Sequence, residues 1–422
     1  MRRLLLISLA VLLTACGTVR SFRDLAIDRY QGEQFGMVVA EVSGGTGQGP
    51  LLILLFREQA GLPELMEMRI GEPGKPAVFV ARDEGLRLVA FEDVDGDFRY
   101  QPGEPVAVVS PQWTRRSDAA PDPLNQHHYP RTQLPLQADL SAEQRAWRSH
   151  LTELDASQQG LKERFMTVVS FDDARFDEQA MRLGQWQPLK FTQTIGYGLY
   201  LLEPWQPGKQ PVLFVHGIND TPRTWQPLLE QLDRSRFQPL LYYYPGSMPL
   251  EYSAYLLTEA VTALCVRDGG LTLPVVAHSM GGLVARRYLQ MVSQRRCAPQ
   301  SPWLVTLSTP WAGHRGAQLA VEKSPIIAPV WRDMAPGSDF LGQLVARPLP
   351  SGTAHHLLAT DGNGKLIMGE ANDGVVTLAS QLLPEIRVSA ASVTEVHVGH
   401  MAIIRDAQTV ALLTRLLAAL GP

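Results

Sequence analysis

Apolar and polar positions follow different patterns in the two halves of the chain. Between residues 36 and 110, short apolar or alternating runs ("GMVVAEV", "LLILLF", "PAVFVA", "LRLVAF", "PVAVVS") are separated by turns containing Gly and Pro. Runs of that length and spacing predict a small all-β domain of the sandwich type. The stretch that follows, "PQWTRRSDAAPDPLNQHHYPRTQLPLQ", is Pro-rich, polar and without period, and predicts a linker or a surface excursion in which His127 and His128 are solvated. "SAEQRAWRSHLTELDASQQGLKERF" then has helical spacing, opened by Ser141 as a cap with Glu143 close behind. Residues 111–190 thus read as a linker and helical connector. From 191 to 422, apolar strands alternate with long helical patterns, which predicts an α/β domain with a mainly parallel central sheet.

Composition agrees with two domains. A chain of 422 residues exceeds the usual single core, and 45% hydrophobic with 19% charged residues suffices to bury a large one. The net charge of -4 and the lack of a dense Lys/Arg run argue against a nucleic-acid partner.

The N-terminus reads as an address. "MRRLLLISLAVLLTAC" has a basic start, an apolar core too short to span a bilayer as a helix, and small residues before Cys16, the pattern of a cleaved secretory signal over residues 1–15. "LTAC" also resembles the lipobox of bacterial lipoproteins. That resemblance implies that Cys16 is lipidated and begins the mature chain, with residues 16–35 as a tether. Gly17 after the Cys implies sorting to the outer membrane, with the protein facing the periplasm. An oxidising compartment permits the remaining cysteines, Cys265 and Cys297, to pair. Each ends a helical stretch on one side of the same apolar strand, so a disulfide is the favoured reading, with two unpaired buried thiols as the alternative.

"DVDGDFRYQPGE" sets Asp93, Asp95, Asp97 and Glu104 at the first, third, fifth and twelfth positions of a loop, the oxygen spacing that wraps calcium. Phe98 stands where a Gly is expected and no helices flank the loop. An acidic hairpin is therefore the competing reading of this possible structural calcium site.

"LTLPVVAHSMGGLVARRYLQ" runs from a buried-type strand straight into a helix, with Ala277 and Gly281 two residues either side of Ser279. Such a turn admits only small neighbours and lifts the Ser hydroxyl clear of the sheet, the geometry of a nucleophile elbow. It also aims the Met280 amide at an attacked carbonyl. Upstream, "QPVLFVHGIND" is another apolar strand ending in His216-Gly217. Either stretch alone is weak evidence; their order and spacing together are specific.

"VLFVHGIND", "VVAHSMGGLVARRYL", "LSTPWAGHRGA" and "NDGVV" together resemble the α/β-hydrolase superfamily over roughly residues 195–420, in its lipase and esterase branch with "AHSMGG" elbows. That branch includes bacterial triacylglycerol lipases and deacylases of glycosylphosphatidylinositol. The resemblance implies a Ser, acid, His chain order and a second oxyanion donor at the Ile218 amide. Asp373 matches the D-G-x-V pattern and is the favoured acid, with Asp361 as runner-up. His400, directly before the final amphipathic run, is favoured over His397 as base. His278 and His314 read as structural or rim residues. The activity implied is ester hydrolysis through an acyl-enzyme on Ser279, requiring no cofactor. Residues 311–350 sit where the fold inserts a cap, and Trp311, Ile326, Ile327 and Trp331, with Trp225, would either line an acyl pocket or form core. A lipid-like ester is the substrate expected of a membrane-anchored chain. The rivals are an acyltransferase or deacylase of envelope polymers, and a non-catalytic envelope scaffold on a degenerate hydrolase body.

Overall fold

The computed structural model describes residues 18–59, 62–72, 74–82, 84–115, 129–142, 144–153, 166–362 and 370–420. Cys16 and the leader, His127, His128 and Glu143 lie outside them. No helix of the described residues is long and apolar enough to cross a membrane.

Strands β1 (Gly36–Ser43), β2 (Leu51–Gln59), β3 (Leu62–Gly71), β4 (Ala77–Ala81), β5 (Leu86–Glu92), β6 (Val106–Val109), β7 (Trp113–Arg115) and β8 (Arg131–Pro135) make two sheets. One has the order β4-β1-β7, with β8 also on β1, and the other β3-β2-β5-β6. Val38 and Ala40 of the first sheet close a core with Ile53, Leu55 and Leu88 of the second, as expected of a sandwich. Three strands were not legible as apolar runs. β7 and β8 fall in the stretch expected to be a linker; "WTR" and "RTQLP" carry almost no apolar pattern and are held by pairing to β1. β3 carries Glu67 and Arg69, both buried.

The second sheet of the sandwich is apolar on both faces. Leu52, Leu54, Phe56, Val89 and Phe91 on its outer face share one core with Trp147 and Leu151 of the connector and with the second domain. "LLILLF" is continuous rather than alternating for that reason. The same interface buries charge. Arg69, 2% exposed, lies 2.5 Å from Glu67 and 3.7 Å from Glu259; Glu259 also pairs with Arg295, and Glu72 accepts from the Arg296 amide at 3.0 Å. Charges out of water need such partners, and removing one leaves another uncompensated.

The second domain is built on one sheet of β9 (Met166–Val168), β10 (Gly198–Leu201), β11 (Gln210–Val215), β12 (Phe237–Tyr243), β13 (Val275–His278), β14 (Trp303–Leu307), β15 (Ala354–Thr360) and β16 (Ser392–Val396). Its order is β16-β15-β14-β13-β11-β12-β10-β9, parallel except where β10 meets β12. β9 extends this sheet into the stretch read as connector. Along β11 the side chains divide strictly: Leu213 and Val215 enter the core beneath helices Leu250–Asp268 and Met280–Val292, while Val212 and Phe214 enter the one beneath helix Ala407–Ala418. Trp225 and Trp311, weighed as pocket lining, are wholly buried: Trp225 packs on Phe214 and Trp311 on His355.

Cys265, near the end of helix Leu250–Asp268, is joined to Cys297 in a disulfide with Cα atoms 5.9 Å apart. The bridge closes a loop of 32 residues, for which chain entropy gives a stabilisation of about 3–4 kcal/mol. A Cys265→Ser, Cys297→Ser variant is expected to lose stability of that order in urea titration under oxidising conditions. An unchanged midpoint would show that the bridge does not constrain the unfolded chain.

His355 on β15 is 1% exposed, and its Nε2 lies 2.8 Å from the Thr306 hydroxyl. Burial pushes its pKa down to about 3, against an ordinary value near 6.5. Below the ordinary value the unfolded chain takes up a proton that the folded chain refuses. Its contribution to stability is therefore complete above about pH 6.5 and declines toward pH 3, at up to ~1.4 kcal/mol per pH unit. Between pH 6 and 4, wild type should lose stability relative to His355→Gln by that slope; a pH-independent difference would contradict it.

Candidate active site

β13 turns into helix Met280–Val292 at Ser279, whose backbone has φ 53° and ψ -128°. A non-glycine residue there is strained by ~1–3 kcal/mol and is held only by its surroundings. Those surroundings are very close. A Cβ on Gly281 would lie 2.4 Å from the carbonyl oxygens of Val215 and His216, and one on Gly282 would lie 2.0 Å from Thr309 Oγ1. A Cβ on Gly217 would stand 3.0 Å from the Ser279 Cβ. The Ser279 amide donates to the Leu307 carbonyl at 2.8 Å and ties the turn to the next strand.

β11 and β13 are parallel neighbours, while β12 and β14 lie on their outer sides. The chain leaves β11 one way and β13 the other, so the loops after these strands meet in the crevice at their carboxyl ends. The two predicted oxyanion donors come from those loops. Neither the Ile218 nor the Met280 amide has a hydrogen-bond partner among the described residues.

The predicted acid and base follow β15 and β16, at one edge of the sheet. Asp373, 1% exposed, follows β15 and accepts from the Val375 and Val376 amides at 2.9 and 2.7 Å through Oδ1. Its Oδ2 accepts from the Thr360 hydroxyl at 2.7 Å and lies 2.7 Å from His400 Nδ1. Burial alone would raise this carboxyl; the bond to His400, its charge and the surrounding donors hold it below the ordinary carboxylate value. His400 follows β16, and its amide donates to the Asp373 carbonyl at 3.0 Å. His278, just before Ser279, donates from Nε2 to the His400 carbonyl at 3.0 Å, with ring centroids 4.7 Å apart. The base loop is thereby tied to the elbow. Burial, with the neighbouring His400, pushes His278 down to about 3, so its ring stays neutral. The runners-up have another fate: His397 and Asp361 bond to each other at 2.6 Å, with the His397 side chain 81% exposed.

Residues 212–412 match the alpha/beta hydrolase family. The second domain has the α/β-hydrolase fold. Among solved structures, the lin2722 gene product of Listeria innocua is 16% identical, over 50% of this chain and 94% of that one, with a TM-score of 0.39. The mature form of Bacillus licheniformis lipase BlEst2 is 20% identical over 52% and 97%, with a TM-score of 0.39. Phospholipase PlaB from Legionella pneumophila is 19% identical over 41% and 45%, with a TM-score of 0.33. No curated protein matches the chain.

Several residues outside the sequence motifs support the site. Gln381 reaches the Thr360 amide at 2.8 Å and Asp373 Oδ2 at 3.3 Å, fixing the acid loop against the end of β15. Tyr244, in "LLYYYPG", donates to the His216 carbonyl at 2.8 Å and stacks on its ring at 4.6 Å, bracing the loop that carries Ile218. Burial pushes His216 down to about 4. The only available signal for Tyr244 was its place at the end of the neighbouring strand. His314, read as structural or rim, lies with Nε2 2.8 Å from the Val375 carbonyl. It borders a cavity of about 300 Å³ shared with Arg315, Glu370, Val375 and Ser380. Ser279, Ile218 and Met280 do not line that cavity.

In the β-domain, the carboxylate oxygens of Asp93, Asp95 and Asp97 come within 4.8 Å of one another. Glu104 is not in that group; it accepts from the Val94 and Gln101 amides at 2.7 and 2.9 Å. Asp93 likewise accepts from the amides of Gly96, Asp97 and Phe98. The last of these has φ 64°, the left-handed turn that a calcium loop assigns to Gly. Three crowded carboxylates on a preformed turn should gain from a hard cation. Millimolar calcium is expected to raise the thermal midpoint over a chelator control, and Asp97→Asn to abolish the rise. An unchanged midpoint assigns the loop as a capped hairpin alone.

Proposed function

We propose that the protein is a serine hydrolase of carboxylic esters, of the lipase and esterase type. The observation that carries this reading is the buried bond from Asp373 to His400, tied through His278 to the elbow that bears Ser279. The Ser279 hydroxyl attacks the ester carbonyl as His400 takes its proton, and Asp373 holds the imidazole in one tautomer and stabilises its charge. The carbonyl oxygen becomes an alkoxide, which the Ile218 and Met280 amides, without a partner among the described residues, receive. His400 then gives its proton to the departing alcohol, and water, deprotonated by the same His, releases the acid from the acyl-enzyme. No step calls on a metal or cofactor.

We further propose a lipid-like ester as substrate and a lipidated Cys16 as anchor at the periplasmic face of a bacterial outer membrane. The lipobox-like "LTAC" supports the anchor. The half-buried Ile326, Ile327 and Trp331 support an apolar cap over the acyl chain.

The test uses p-nitrophenyl esters of increasing chain length and a fluorophosphonate probe. Ser279→Ala should abolish labelling and lower kcat by about 10⁴–10⁶, and Asp373→Asn should lower it by about 10³–10⁴. His397→Ala should leave it within a few-fold of wild type. Absence of both hydrolysis and Ser279-dependent labelling would refute the reading.

A further inference from the structure

Residues 18–32 form a helix with two dissimilar faces. Ser21, Leu25 and Asp28, at 7%, 4% and 5% exposure, make the inner face. Leu25 joins the main core. The Asp28 carboxylate accepts from the Leu189 and Lys190 amides at 3.0 and 3.1 Å, capping helix Pro188–Thr194. Phe22 meets Trp186 edge-on at 5.7 Å, and Trp186 meets Trp331 of the cap segment at 6.1 Å.

Among the described residues the outer face has no such partners. Val19, Ile27 and Tyr30 are 68%, 47% and 66% exposed. At 100° per residue they fall with Arg23 in a sector of about 80°. All exposed charged side chains of this helix are arginines, namely Arg20, Arg23 and Arg29, in a chain of net charge -4. Arg23 also meets Asp24 at 3.3 Å, an exposed contact of little weight. Apolar side chains interleaved with arginines on one helix face are the composition that lies in a bilayer interface and favours anionic headgroups. In sequence, Cys16 stands two residues before the helix.

Through Trp186 the helix also approaches the neighbourhood of Gly246. Gln185, the neighbour of Trp186, is 6% exposed. Its Oε1 lies 3.1 Å, and the Ile218 side chain 3.9 Å, from the point where a Cβ on Gly246 would stand. Phe22 thus meets Trp186, and Gln185 beside it shares with Ile218 the surroundings of Gly246.

We propose that the outer face of residues 18–32 docks on a bilayer with anionic headgroups and holds the Trp186, Trp331 and Ile218 side of the hydrolase domain toward that bilayer, from which the enzyme draws an ester lipid as substrate. The docking stands on the helix alone; the substrate rests on the Ser279 reading.

The experiment uses protein beginning at Gly17, which retains every described residue, and vesicles of phosphatidylglycerol with phosphatidylethanolamine or of phosphatidylcholine alone. Wild type should float with the anionic vesicles. A Val19→Ser, Ile27→Ser, Tyr30→Ser variant, with an unchanged thermal midpoint because all three side chains are exposed, should bind at least tenfold more weakly. Arg20→Gln and Arg23→Gln should each cost about five-fold on anionic vesicles. Hydrolysis of p-nitrophenyl butyrate should be the same in all variants, while hydrolysis of a vesicle-borne ester falls with binding. Failure of wild type to float, or equal flotation of the triple Ser variant, overturns the docking. A wild-type dimer in light scattering that the triple variant dissolves also overturns it, in favour of a second copy. Vesicle-borne turnover unchanged in the triple variant overturns the orientation. Flotation without hydrolysis of either ester keeps the docking and removes the Ser279 reading.

Discussion

The close approach of three backbone segments around Ser279 is the constraint on which the rest of the site depends. The carbonyls of Val215 and His216 occupy the space that a side chain on Gly281 would need, and Thr309 occupies that of Gly282. Only with those side chains absent can helix Met280–Val292 start directly at the end of β13, beside the end of β11. That contact brings together the loops that carry Ile218 and Met280, whose amides have no partner among the described residues, and forces Ser279 into a backbone conformation its own preferences oppose. The sheet supplies the compensating rigidity: both strands are central, parallel and buried on both faces.

Around this elbow, buried polar groups are used to position one another. Asp373 is held by two amides and a hydroxyl before it meets His400, and His278 closes the circuit by gripping the base loop from the elbow side. The Asp373 carboxylate so held stays ionised despite burial, because its donors outweigh desolvation, and burial keeps the His278 ring neutral against the pull of its bond to the His400 carbonyl. The sandwich domain is integrated with the hydrolase domain by the same means. One face of its second sheet shares the hydrolase core, and Arg69, Glu67, Glu259, Arg295 and Glu72 exchange charge at its edge. The disulfide lies in this region, since Cys297 follows directly on the Arg295-Arg296 pair that meets Glu72.

Legibility in the sequence varied with where each element finds its partners. β2, β5, β11 and β13 read as strands because their own apolar runs state their burial. β3 did not, because Glu67 and Arg69 look like solvent-facing charges until the other domain supplies Glu259. β7, β8 and β9 are three to five residues long and exist through pairing with a neighbour strand. Trp225 and Trp311 fitted a pocket wall or a core equally well in composition, and packing made them core.

By itself the sequence determined the strand-to-helix turn at Ser279 and the α/β and all-β halves. Those are local matters, set by side-chain size, spacing and apolar period over a few residues. Tertiary structure alone decided that Asp373 meets His400 in a buried site while Asp361 meets His397 at the surface, and that His278 joins the base loop to the elbow. Both acid and base pairings satisfy the chain order, and the choice turns on which loop ends reach the crevice and exclude water. Burial and distance between residues far apart in sequence are properties of the packed sheet, and no local pattern encodes them.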